Sequence, residues 1–167
     1  MAKKQEKKES KASNQTVAEL FQKFGEFDSV EELNLAAAGL KEEGDIESLG
    51  ILAKENGLEE DDVEMYLSGD TEQLADVLSA AIGKLNVEKE KENNILVDDI
   101  VDYLMANCDD EKMARAVRKK GKRTMEAAKL VADEAKKNRI TIPGGGSCSY
   151  CGPMKGYQII RSYYMEG

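Results

Sequence analysis

The chain has 167 residues and a formal net charge of −9, with 41% hydrophobic residues but only 5% aromatic ones. It contains no His, so the most common general base and metal ligand is missing, and this excludes Ser-His-Asp triads and most zinc-hydrolase mechanisms. Two prolines and abundant Ala, Leu, Glu and Lys favour helices. We therefore expect an all-α protein that is not an enzyme.

The charge is unevenly distributed along the chain. Residues 1–13 have a net charge of +3, whereas residues 14–112 hold 27 acidic and seven basic residues and residues 113–167 hold four acidic and twelve basic ones. A chain divided in this way can pair with itself or present two faces to a charged partner. There is no apolar run of membrane-spanning length, no secretory signal and an odd number of cysteines. We expect a cytoplasmic protein with reduced thiols and no membrane contact.

Apolar residues recur at helical spacing between cap signals along the first half of the chain. Residues 1–13 are polar and charged and are expected to be a disordered basic tail, and a first helix is expected over residues 14–24. Ser29-Val30-Glu31-Glu32 is typical of a capping box and starts the next helix. Asp70 is expected to cap a later helix with a broad apolar stripe. These elements form an acidic helical lobe over residues 14–86.

The second half of the chain begins after the polar run 87–93, which we expect to be a solvated linker. Residues 94–167 are expected to form a second helical lobe. Within it, alternating residues indicate an extended segment over 139–143. A Gly-rich loop, GGGSCSYCG, then precedes a last helix that begins near Pro153. The expected fold is a compact bundle of about eight or nine short helices.

The cysteines Cys148 and Cys151 form the sharpest short motif. Two thiols at this spacing suit zinc chelation or a redox dithiol. A structural zinc site needs four protein ligands, Cys108 can supply only a third, and a dimer would be needed to bring two pairs together. We expect no cofactor, with zinc at this pair as a minor alternative. An enzyme that uses the two thiols is the weakest alternative, and redox activity that vanishes on Cys151→Ser would favour it.

An acidic set of residues is one candidate binding surface. It imitates nucleic acid phosphate and can occupy a basic channel of a partner. Its members are Glu59, Glu60, Asp61, Asp62, Glu64, Asp98, Asp99 and Asp102. For Glu59 to Asp62 a structural explanation also stands, because the helix dipole favours negative charge in a first helical turn.

A basic set of residues is the other candidate, and on a helix residues 115, 118, 119, 122 and 123 of this set fall on one face. Its members are Arg115, Arg118, Lys119, Lys120, Lys122 and Arg123. Such a stripe suits phosphate contacts in a nucleic acid or a nucleoprotein. A solvated face, or a surface that pairs with the acidic half of the chain, explains it equally well.

Four stretches of the sequence are similar to those of one known family. They are residues 27–70 (FDSVEEL…YLSGD), 78–88 (LSAAIGKLNVE), 108–124 (CDDEKMARAVRKKGKRT) and the ending ITIPGGG…YQIIRSYYMEG. They resemble small anti-CRISPR proteins, which inhibit the type II RNA-guided nuclease and are carried by mobile elements of Gram-positive bacteria. Residues 144–156, with the Cys pair, depart from the family's pattern.

The resemblance implies that the partner is the type II CRISPR nuclease with its guide RNA complex, in the cytoplasm of a bacterial host. Because such a nuclease holds nucleic acid in positively charged channels, we expect the acidic segment to occupy a channel and the basic segment to contact the guide RNA. The alternative is a non-enzymatic accessory protein of a mobile element that binds nucleic acid through residues 115–123. Binding to free RNA or DNA without the nuclease would favour that alternative.

Overall fold

The structure is a computed structural model that describes residues 22–166, and these residues form eight α-helices and one β-hairpin. The helices are α1 (Val30–Glu43), α2 (Ile46–Glu55), α3 (Glu60–Ser68), α4 (Val77–Glu92), α5 (Ile95–Met105), α6 (Glu111–Arg118), α7 (Thr124–Lys137) and α8 (Pro153–Met165). The all-α class is confirmed. The predicted tail and most of the helix predicted over 14–24 lie outside the described residues, and residues 22–24 are not helical.

Several helix starts follow the local signals in the sequence. The Ser29 hydroxyl accepts the backbone N–H of Glu32 at 3.2 Å, and the Glu32 carboxylate accepts the backbone N–H of the residue before Ser29 at 2.9 Å. Asp45 and Asn94 cap α2 and α5 in the same manner, accepting backbone N–H groups at 3.0 Å and 2.9 Å. Each such cap satisfies an N–H that has no partner within the helix, which contributes about 1 kcal/mol.

Two hydrophobic cores share helix α4. The first core is formed by α1, α2, α3 and the start of α4, and the second by the rest of α4 with α5, α6, α7 and α8. The boundary between the two cores falls within α4, because Ala80 packs in the first core and Ala81 in the second. Among residues 22–166 no helix is both long enough and apolar enough to span a bilayer.

The linker predicted over residues 87–93 is wrong, because residues 87–92 are the last turns of α4. Val87 and Glu88 are only 8% and 1% exposed. The polar run is partly interior because the carboxylate of Glu88 has two partners, Thr124 at the start of α7 and Arg123 just before that helix. The two parts of the protein are therefore joined by a continuous helix.

The start of α4 also differs from the prediction, since its cap is Asp76 and not Asp70. The Asn34 side chain accepts the N–H of Ala75 at 3.1 Å and donates to its carbonyl at 2.8 Å. Both backbone groups of Ala75 are thus satisfied by a side chain from α1, and the segment before α4 does not need helical hydrogen bonds.

The Gly-rich segment before the last helix is half of a hairpin. Strand β1 (Arg139–Ile142) is the predicted extended segment, and β2 (Gly146–Ser149) pairs with it in antiparallel register. Gly144 and Gly145 make the turn with φ of 102° and 93°, a region that L side chains rarely adopt. The loop predicted for residues 146–149 is therefore a strand. Pro153 begins α8 as expected.

Candidate functional site

The basic residues do not form one helix face, so that prediction is wrong. Helix α6 ends at Arg118, the backbone of Lys119 turns away with ψ of 136°, and α7 begins only at Thr124. Arg115 is the one of the six that lies on the exposed side of α6, and its guanidinium is 2.7 Å from Glu31 and 2.9 Å from Glu111.

Two of the predicted phosphate-binding residues are interior. Arg118 and Arg123 are 1% and 6% exposed. The Arg118 guanidinium donates to the side-chain oxygen of Asn56 at 2.9 Å. The Arg123 guanidinium lies 2.8 Å from Glu26 and 3.3 Å from Glu88. Because burying a charge is costly unless it is paired, the two carboxylates beside Arg123 serve the fold, whereas Arg118 is held by a hydrogen bond to a neutral side chain.

A buried ion-pair cluster results, consisting of Glu26, Lys84, Glu88 and Arg123, and the guanidinium of Arg118 is buried nearby without an ion pair to it. The ammonium group of Lys84 lies 3.0 Å from Glu26 and donates to the backbone carbonyl of Lys119 at 2.8 Å. Glu88 accepts the backbone N–H of Thr124 at 2.8 Å and its hydroxyl at 2.6 Å. The cluster therefore joins the segment before α1 to α4 and to the chain between α6 and α7.

The burial of Lys84 has a consequence for stability at alkaline pH. Desolvation lowers its pKa from 10.5 to about 8, against the opposing effect of the Glu88 and Glu26 carboxylates. The unfolded chain keeps the ordinary pKa, so it binds more protons than the folded protein between about pH 8 and pH 10.5. The contribution of Lys84 to stability therefore increases as the pH rises through this window.

We predict that the free energy of unfolding of the wild type, minus that of Lys84→Met, increases by roughly 2 kcal/mol between about pH 7.5 and pH 9.5. Urea denaturation of both proteins at the two pH values measures it. Groups that titrate equally in both proteins cancel in the difference. A difference that stays constant or decreases would contradict the assignment of the lowered pKa to Lys84.

The three remaining basic residues of the set differ in their exposure to solvent. Lys122 is half-buried, and its ammonium group donates to the backbone carbonyl of Tyr163. The same ammonium group lies 4.6 Å from the centre of the Tyr163 ring. Lys119 and Lys120 are exposed, and the backbone N–H of Lys120 donates to Asp28 at 3.2 Å. The exposed positive charge in this region is much smaller than the sequence indicates.

The acidic residues near the start of α3 have two roles. Asp62 accepts the backbone N–H of Glu59 at 2.8 Å and completes a capping box. Glu60, Asp61 and Glu64 are exposed, and none of them is in an ion pair with another residue of the part of the chain that the structure describes. The helix-dipole explanation from the sequence covers Glu60, Asp61 and Asp62, which all lie in the first turn of α3. The side chains of Glu60, Asp61 and Glu64 nevertheless face solvent.

The carboxylates of α5 form a separate group on the second core. Asp102 pairs with Lys89 at 2.8 Å, and this hydrogen bond raises the pKa of Lys89. Asp99 is exposed, and Asp98 is half-buried in the first turn of the helix. Helix α3 packs in the first core and α5 in the second. The predicted acidic set is therefore two groups on different parts of the fold.

A groove between α2 and α3 lies beside the first acidic group, and the sequence pattern did not predict it. Its volume is about 710 Å³. Apolar residues line it: Ile46, Ile51, Ala53, Leu58, Val63 and Leu67. Charged residues also line it: Glu47, Lys54, Glu59, Glu60 and Glu64. We name this feature the acidic groove. Ala53, Leu58 and Val63 are at most 9% exposed, whereas Ile46 is 46% exposed.

The cysteines are three free thiols. Cys108 is buried in the second core, and this burial raises its pKa to about 11. Cys148 is exposed on β2, and Cys151 is half-buried before α8. Among residues 22–166 there is no group of three or more Cys, Asp or Glu side chains arranged to hold a metal ion.

The fold and these surfaces define the class of the protein as a compact all-α protein with an interior ion-pair cluster and exposed acidic surfaces. No protein-family model, curated protein or solved structure with which the chain was compared matches it. The anti-CRISPR resemblance stays a prediction, and the case for a function depends on the chemistry of the chain's own residues.

Proposed function

We propose that this protein inhibits a type II RNA-guided nuclease by binding the nuclease or its guide complex through exposed carboxylates, without catalysis. The observation that carries the proposal is the placement of charge. The side chains of Arg118 and Arg123 are interior, whereas those of Glu60, Asp61 and Glu64 face solvent. An acidic surface is complementary to the positively charged channels in which such a nuclease holds nucleic acid.

The alternative function, an accessory protein that binds nucleic acid through residues 115–123, has less support. Its surface needs several cations that can reach phosphates. Arg123 is instead held by two buried carboxylates, and Arg115 by two exposed ones. Phosphate binding by Arg123 would compete with its buried ion pairs. Lys119 and Lys120 alone give a small positive patch.

A variant that neutralises the exposed carboxylates tests the proposal. Glu60→Gln, Asp61→Asn and Glu64→Gln are combined, while Asp62 is retained because it belongs to the capping box. We expect the concentration for half-maximal inhibition of plasmid cleavage by the guide–nuclease complex to rise about tenfold or more, a loss of about 1.4 kcal/mol of binding free energy.

The matched control neutralises three other exposed carboxylates with Glu42→Gln, Glu43→Gln and Glu90→Gln. Its net charge changes by the same amount, so a general effect of charge would appear equally in both variants. We expect the control to inhibit like the wild type. Equal inhibition by all three proteins, or no inhibition by the wild type of any of several type II nucleases, would reject the proposal.

A further inference from the structure

We propose that the acidic groove between α2 and α3 docks a basic amphipathic helix of a partner protein. The inference rests on the proposed function in taking the nuclease as the partner, and it specifies the kind of surface that is recognised. The groove recognises a protein surface rather than nucleic acid, and apolar contacts contribute to binding together with charge.

The apolar lining is the first reason for a protein partner. Ile46 is 46% exposed at the start of α2, and Ile51 and Leu67 are half-buried along the same groove. A phosphate backbone gains nothing from such a lining, whereas the apolar face of a helix is buried by it. A groove of about 710 Å³ accommodates several apolar side chains.

The charges of the groove are the second reason, and they select the partner's polar residues. Four carboxylates line it, those of Glu47, Glu59, Glu60 and Glu64, with Lys54 as the one cation among the lining residues. Lys and Arg residues that flank the apolar face of a docked helix are complementary to these carboxylates. Acidic segments meet like charge and are disfavoured.

Gly50 provides a way to test the groove without weakening the fold. It lies within α2 and lines the groove, and a Cβ atom added there would have no heavy atom within 4 Å. A leucine at this position favours the helix more than glycine does and fills the groove. Gly39, within α1 and outside the lining of the groove, has equally open surroundings. It is the matched control position.

The experiment measures binding of a fluorescein-labelled amphipathic Leu/Lys helix of about 14 residues, a length of roughly four turns. Fluorescence anisotropy gives the Kd for the wild type, Gly50→Leu and Gly39→Leu. We expect Gly50→Leu to weaken binding about tenfold or more and Gly39→Leu to stay within about twofold of the wild type. Both variants should melt at or above the wild-type temperature, so lost binding is not lost folding.

Equal Kd values for the three proteins, or no binding of the peptide, would overturn the groove as a docking site. So would a dimer of the wild type that Gly50→Leu abolishes, since a second copy would then be the occupant. Binding of a labelled oligonucleotide with the same sensitivity to Gly50→Leu would overturn the choice of protein over nucleic acid.

The plasmid-cleavage assay separates this inference from the proposed function. Loss of both peptide binding and inhibition in Gly50→Leu supports the groove and its use against the nuclease. Loss of peptide binding with full inhibition overturns that use while the inhibitor function stands. Peptide binding that depends on Gly50 in a protein that inhibits no nuclease overturns the proposed function and retains the groove.

Discussion

Replacement of Glu88 by Ala should lower the free energy of unfolding by about 3 kcal/mol, because it removes one of the two buried carboxylates near Lys84 and Arg123 and leaves Glu26 as the other. Arg123 loses a partner at 3.3 Å, and Lys84 loses a nearby negative charge that favours its protonated form. The backbone N–H and hydroxyl of Thr124, both bonded to Glu88, lose their acceptor. Urea denaturation followed by circular dichroism measures the change.

The matched control is Glu126→Ala, which removes an exposed carboxylate that pairs with Lys129 at 2.6 Å. Exposed pairs contribute little because water and salt screen them, so we expect a change below about 1 kcal/mol. If Glu88→Ala and Glu126→Ala had equal effects, the ion-pair cluster would not be a stabilising feature of the interior.

Gly83→Ala should lower the free energy of unfolding by about 1–3 kcal/mol, through a steric conflict between two segments of backbone. Helix α4 approaches the turn after α2 at Gly83, and an added Cβ would overlap the backbone carbonyl oxygen of Asn56. The obstacle is backbone, so no side chain can rotate away. Gly57 faces Gly83 in that turn with φ of 69° and has no room for a side chain either. Thermal and urea denaturation measure the loss.

Gly39→Ala is the control for Gly83→Ala. Both glycines are within helices, but a Cβ atom at Gly39 would meet nothing within 4 Å. Alanine is the better helix former, so we expect Gly39→Ala to be neutral or to raise the free energy of unfolding by up to about 1 kcal/mol. Destabilisation of the same size in both variants would show that the close approach of Gly83 and Gly57 is not the cause.

Local chemistry made most of the helices predictable. The caps at Ser29, Asp45 and Asn94 depend on residues two or three positions away, and the sequence shows them directly. The cap of α4 was missed because Asn34, 41 residues before Ala75, holds the segment in a non-helical conformation. No pattern within that segment reveals such a partner.

The placement of charge was the least predictable feature, for the same reason. Glu88 was assigned to a linker, and Arg118 and Arg123 to a solvent-facing stripe, because isolated charges belong in water. Their partners are 35 to 97 residues away in sequence, so burial becomes favourable only once the fold brings them together. The carboxylates Glu60, Asp61 and Glu64 have no such partners among residues 22–166 and are exposed.

The affinity of this protein for the guide–nuclease complex is the most direct test of the proposed function. Fluorescently labelled protein is titrated with the complex at about 50 mM and about 200 mM salt, and separately with the guide RNA alone. We expect saturable binding to the complex that weakens at the higher salt concentration, and no comparable binding to the RNA. Binding to bare RNA as tight as to the complex, or no binding to the complex, would contradict an inhibitor that acts through its acidic surface.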